Sequence, residues 1–160
     1  MFAEGGCSCG AVRYRLLERP LIVHACHCAD CQRLTGSHYA TNAWIEKDRV
    51  ELVSGAPQCY GRQGGSGSDH QVFFCGRCGT TVYSDYRRVP GNHWFVRVGT
   101  LDNPALLAPD VHIHTCRKHP AVTLPPGVLT FEAGYDRAKV WPPESLARME
   151  ANIRANPQPA

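Results

Sequence analysis

The chain has no apolar run long enough to cross a bilayer as a helix, no block of lysines or arginines, and few segments with helical periodicity. The first absence excludes a membrane-spanning helix and leaves no membrane partner to expect. Met1-Phe2-Ala3-Glu4-Gly5-Gly6 lacks the basic start and apolar stretch of a secretory signal, so a cytoplasmic location is expected. The adjacent pairs Arg87-Arg88 and Arg117-Lys118 are too small to form a nucleic-acid stripe, which makes a nucleic-acid partner unexpected. The glycine-rich stretch from Gly61 to Asp69 lacks the spacing, the lysine and the following helix of a phosphate-binding loop; it reads as a mobile loop.

Cysteine is what the chain has in excess: nine in 160 residues. Seven fall into three close-set groups, Cys7-Ser8-Cys9, Cys26-His27-Cys28-Ala29-Asp30-Cys31 and Cys75-Gly76-Arg77-Cys78. An odd total and short spacings in a reducing compartment suit metal thiolates better than disulfides. Each of the outer pairs fills half a tetrahedral shell, so Cys7, Cys9, Cys75 and Cys78 together make one closed structural zinc site. Such a site contributes on the order of 10 kcal/mol to folding at neutral pH.

The middle group is different, since three cysteines lie within six residues with no obvious fourth partner. One reading is a second zinc held by Cys26, Cys28 and Cys31 with an open position for chemistry. Another is a closed site completed by Cys116, His24 or a more distant histidine. A third is a redox trio or a site without zinc. Cys59 and Cys116 read individually as small buried hydrophobes, and His112, His114 and His119 stand out only by clustering around Cys116. The formal charge of +3 falls to zero once the zinc centres are counted, because four thiolates on Zn²⁺ carry −2 and three carry −1. The basic balance therefore says nothing about partners.

Short runs rich in β-branched and aromatic residues recur at Ala11 to Leu16, Tyr39 to Ile45, Val50 to Val53, Val72 to Phe74, Thr81 to Tyr83, Trp94 to Val98 and Val111 to His114. The fold class is mainly β. Val12-Arg13-Tyr14-Arg15-Leu16 and Phe95-Val96-Arg97-Val98 alternate as one-sided strands with their arginines toward water. Asp30 caps a short turn through Leu34 that stops at Gly36. After Pro142-Pro143 the spacing of Leu146, Met149 and Ile153 predicts a C-terminal amphipathic helix over 143–155, packed by its apolar stripe. Length and composition predict a single domain over 1–160, with a core at about 4–135.

The run from Gly6 to Tyr14, the run Cys26-His27-Cys28-Ala29-Asp30-Cys31-Gln32-Arg33-Leu34-Thr35-Gly36-Ser37 and the run from Phe74 to Thr80 resemble the glutathione-dependent formaldehyde-activating enzyme family, which includes centromere protein V. The resemblance covers Glu4 to Val111, with all seven family cysteines at matching spacing. It implies an Mss4-like β fold with short helices and a structural zinc on Cys7, Cys9, Cys75 and Cys78. It further implies a second zinc on Cys26, Cys28 and Cys31, at which glutathione and formaldehyde combine, a carbon-sulfur lyase activity. Small-molecule thiol and aldehyde substrates are the partners it implies. Arg33, Arg62 and Arg77 are candidates to pair a substrate carboxylate, and the loop Gly64 to Ser68 is a candidate cover. The alternative is a non-catalytic, zinc-stabilised binding module of Mss4-like type. The chain departs from the family pattern after Val111.

Overall fold

The computed structural model describes residues 1–157. The protein is mainly β: strands β1 (Ala3–Gly6), β2 (Arg13–Leu16) and β5 (Val50–Ser54) form a three-stranded antiparallel sheet in the order β1-β2-β5. A larger sheet runs β11 (Leu129–Thr130), β10 (Val111–Ile113), β3 (Ile22–Cys26), β4 (Ala40–Glu46), β9 (His93–Arg97), β8 (Thr81–Tyr86), β7 (Asp69–Phe74), β6 (Gln58–Gln63). It is antiparallel except where β10 lies parallel to β3 and β11. Helix α1 spans Ala29–Thr35, α2 Arg137–Val140 and α3 Pro143–Ala155.

The smaller sheet packs on one face of the larger. Tyr14 and Leu16 meet Val23, Ala43, Ile45, Val82, Tyr83 and Val96 in a single buried cluster, while Arg13 and Arg15 point outward to Asp102 and Glu4. The alternation in β2 therefore has its expected consequence. Within the small sheet β1 is crowded at Gly5, where a Cβ would meet Thr100 O, in the turn after β9, at 2.6 Å and Tyr14 Oη at 2.7 Å. Only glycine fits there.

The opposite face of the larger sheet is divided along its length. At one end α3 lays Leu146, Met149 and Ile153 on Ile22, Trp44, Phe95 and Trp141, as its spacing predicts. Trp141 stands edge-on to Trp44 at 4.9 Å and donates from Nε1 to Tyr135 Oη at 2.7 Å. Arg148 locks the helix down through both oxygens of the buried Glu46, at 2.9 and 2.7 Å. At the other end the face is polar and carries α1.

Several sequence expectations need correction. Arg97 does not face water: it is 8% exposed, because β9 is central and both faces of it are covered. Gly61 to Gln63 belong to strand β6, paired with β7 from Gln63↔Asp69 onward; only 64–68 form the connecting turn. Backbone pairing along a hairpin needs no hydrophobic side chains, so composition concealed this strand. Cys59 is exposed on β6, an edge strand, where a buried cysteine was expected. Cys116 is exposed as well, in a 3-10 turn at Thr115–Arg117.

Truncating Trp141 to alanine strips the cover from Trp44 and should lower unfolding stability by about 3–5 kcal/mol in a denaturant titration, with Trp141→Phe much milder. His93 is buried with neither ring nitrogen hydrogen-bonded, and burial pushes its pKa down to about 4. An unfolded histidine takes its proton near pH 6.5. Stability should thus be lost as pH falls from about 6.5 toward 4, by at most roughly 3 kcal/mol from this group. His93→Gln should flatten that slope when midpoints are compared at pH 7 and pH 5.

Candidate metal centres and the adjoining cavity

Two turns bring the outer cysteines together. Between β1 and β2, Gly10 takes φ 74° and its amide bonds Cys7 O at 3.0 Å; between β7 and β8, Gly79 takes φ 76° and bonds Cys75 O at 2.8 Å. Each is a tight sulfur-bearing knuckle that glycine closes in the left-handed region. Cys7 Sγ lies 3.5 Å from Cys9 Sγ, and Cys9 Sγ 3.8 Å from Cys75 Sγ. All four sulfurs of Cys7, Cys9, Cys75 and Cys78 fall within 4.8 Å of one another, and none is disulfide-bonded. Tetrahedral coordination at a metal–sulfur distance near 2.3 Å places sulfurs about 3.8 Å apart, so this set is compatible with one metal ion. The Val12 amide donates to Cys7 Sγ at 3.2 Å, and Thr80 and Ser8 hydroxyls hold the Cys78 thiol down to about 5. Both prepare thiolates.

The middle cysteines lie where β3 runs into α1. Cys26 is the last residue of β3, and Cys28 is the N-cap of α1, its sulfur accepting from the Cys31 amide at 3.3 Å. The cap is thus Cys28 and not Asp30, while Gly36 ends the helix at φ 60° as expected. Asp30 pairs instead with Arg62 at 2.8 Å and accepts from the Gly65 amide at 3.3 Å, holding the β6–β7 turn against the helix. The three sulfurs lie within 4.8 Å of one another. Hydrogen bonds from the Cys26 and Cys31 thiols pull the Cys28 thiol down, and the same proximity to Cys28 and Cys31 pushes Cys26 up. Three such groups cannot all ionise together unless a cation joins them.

Among the described residues no further Cys, His, Asp or Glu ligand atom lies within reach of all three sulfurs, so neither Cys116 nor His24 closes this set. His24 Nε2 is engaged with Tyr135 Oη at 2.6 Å. His27, fully buried between two of the cysteines, turns the other way: its Nε2 lies 2.9 Å from His112 Nδ1 and the two rings stack. Gln32 ties α1 to the chain beyond β10 by donating to His27 O at 2.7 Å and Arg117 O at 2.9 Å. The expected histidine cluster disperses, since His119 stacks on His38 at 4.0 Å. His114 adopts a left-handed backbone at φ 55°.

The far end of α1 borders a cavity of about 430 Å³ walled by Leu34, Thr35, Tyr39, Thr41, Gly79 and Arg97. A second, of about 480 Å³, is lined by Gln32, Arg33, Gly36, Ser37 and His38. Of the three candidate arginines, Arg33 reaches a cavity, Arg62 is committed to Asp30 and Arg77 is exposed on the outer knuckle. Arg97, passed over in the sequence, is the arginine buried beside the middle cysteines.

A family model for the glutathione-dependent formaldehyde-activating enzyme matches residues 2–117. A Halomonas elongata protein provisionally named a glutathione-dependent formaldehyde-activating enzyme is 33% identical over 88 residues, covering 52% of this chain and 55% of that protein. The chain thus spans about half the length of the curated relative it matches. The crystal structure of a Rhodobacter sphaeroides protein superposes with a TM-score of 0.49 at 29% identity, over 64% of this chain and 92% of that one.

Metal analysis of purified protein checks the two sulfur sets. Cys28→Ser should bind one equivalent of metal fewer than wild type and keep its fold. Cys75→Ser should also lose one equivalent, with a clear fall in melting temperature.

Proposed function

The chain belongs to the glutathione-dependent formaldehyde-activating enzyme family, and we propose that it is a carbon-sulfur lyase-type enzyme that adds a thiol, glutathione or similar, to a small aldehyde such as formaldehyde. The observation that carries this reading is the incomplete donor set of Cys26, Cys28 and Cys31, two of them only half buried. Four sulfurs close a tetrahedral ion and build structure, whereas three leave a face to which a reactant can bind.

All-thiolate sets suit zinc. Cys7, Cys9, Cys75 and Cys78 would hold a structural zinc, and Cys26, Cys28 and Cys31 a second one. When bound there, zinc supplies Lewis acidity that lowers a thiol pKa and polarises a carbonyl oxygen. The protein supplies orientation. Cys26 is fixed by the β3–β4 and β3–β10 pairings, and Cys28 and Cys31 by the first turn of α1. Gln32 and Asp30 brace that turn from two sides. In the reaction the thiol sulfur forms a bond to the aldehyde carbon, the carbonyl π electrons pass to oxygen, and the thiol proton ends on that oxygen. The product is a hemithioacetal, S-hydroxymethyl when the aldehyde is formaldehyde. Arg33, lining the cavity at the end of α1, is the arginine best placed to receive a substrate carboxylate. The same reading takes residues 1–160 as one domain of a cytoplasmic enzyme.

Adduct formation also proceeds without a catalyst, so the test is exchange NMR on ¹³C-formaldehyde with glutathione against a buffer control. Zinc-loaded protein should accelerate exchange and Cys28→Ser should return it to the buffer rate. Exchange at the buffer rate with wild-type protein would remove this substrate pair.

A further inference from the structure

Arg97 ends β9 in the register row His24–Asn42–Arg97, and the neighbouring row pairs Cys26 with Ala40. Strand alternation places Cys26, Ala40, Asn42 and Arg97 on the same face of the sheet. The guanidinium is buried; Nη1 donates to Asn42 Oδ1, while Nε and Nη2 are sealed from water and have no hydrogen-bond partner. A guanidinium keeps its charge even when buried, and a buried charge facing only a neutral amide is costly. An anion therefore belongs beside it. Asp30 is already spoken for by Arg62. The three-cysteine set lies on this same face, since Cys26 is in the neighbouring register row and the Cys28 and Cys31 sulfurs lie within 4.8 Å of its own.

The charge count gives this arrangement its meaning. Three thiolates on a divalent ion carry −1, which Arg97 offsets to zero. A fourth, anionic donor then leaves −1 in the buried centre, where without Arg97 it would leave −2. We propose that Arg97 is the built-in counter-charge that raises the affinity of the three-cysteine centre for an anionic sulfur donor relative to a neutral one. It acts through the centre and not on the reacting atoms, so it is a positioning residue. Arg97 borders the cavity at the far end of α1, but its Nε and Nη2 are closed to water. The assignment rests on the reading that Cys26, Cys28 and Cys31 hold a metal that accepts a thiol.

Cobalt(II)-substituted protein reports donor binding through its visible ligand-field and sulfur charge-transfer bands, independently of turnover. Wild type, Arg97→Gln, Arg97→Lys and Asn42→Asp are titrated with 2-mercaptoethanol, glutathione and imidazole. Asn42→Asp cancels the guanidinium charge at constant volume, so the question stays answerable if Arg97→Gln does not fold. The affinity ratio of either thiol to imidazole should fall about tenfold or more in Arg97→Gln and Asn42→Asp. It should change little in Arg97→Lys. An unchanged ratio in the charge-cancelling variants overturns the assignment alone. Loss of glutathione with 2-mercaptoethanol unaffected also overturns it, making Arg97 a carboxylate contact instead. Failure of the wild-type cobalt protein to bind either thiol overturns both this assignment and the reading beneath it.

Discussion

Sulfurs crowded to within 4.8 Å of one another without a disulfide are the constraint on which the rest of the structure depends. As thiols they satisfy each other weakly, and as thiolates they repel; a divalent cation reconciles them. In the outer set a metal ion would join the β1–β2 turn to the β7–β8 turn across 66 residues of chain. Closing a loop of that length costs on the order of 4 kcal/mol of chain entropy beyond a constant, less than a thiolate metal site returns. Such a clamp would tie the small sheet, through the β1–β2 turn, to the large one, through the β7–β8 turn.

With one face of the large sheet covered by the small sheet, the opposite face is free to serve two purposes. Its apolar end takes α3 and the Trp44–Trp141 pair; its polar end carries Cys26, Asn42, Arg97 and α1. The division follows the strands: Trp44 and Asn42 are two residues apart on β4, so they share a face and differ only in position along it. The rigidity of the apolar end thus reaches the middle cysteines directly through β3 and β4. The turn at 64–68 and the Gln32 contacts brace α1 from outside that sheet.

The alternation of β2 and the three-and-four spacing of the C-terminal helix were visible because one face of each meets a core and the other meets water, and the remaining strands found were visible as β-branched and aromatic runs. β1, β3, β6 and β11 escaped notice for the converse reason. β3 is buried throughout and shows no alternation, β6 is an exposed edge, and β1 and β11 are very short. Arg97 misled through the same logic: an arginine between valines reads as a solvent-facing residue when the strand is taken as one-sided.

The sequence by itself determined the sulfur chemistry. Cysteines two or three residues apart beside turn-forming glycines can turn their sulfurs toward one ion, so the knuckles, the three-cysteine group and the family pattern were legible from spacing. Tertiary structure decided what local spacing cannot reach. It paired Cys7 and Cys9 with Cys75 and Cys78, left Cys26, Cys28 and Cys31 without a fourth ligand atom among the described residues, turned His27 toward His112, and buried Arg97 beside the thiols. Those outcomes depend on which strands become neighbours, a property of contacts distant in the chain that no window of sequence contains.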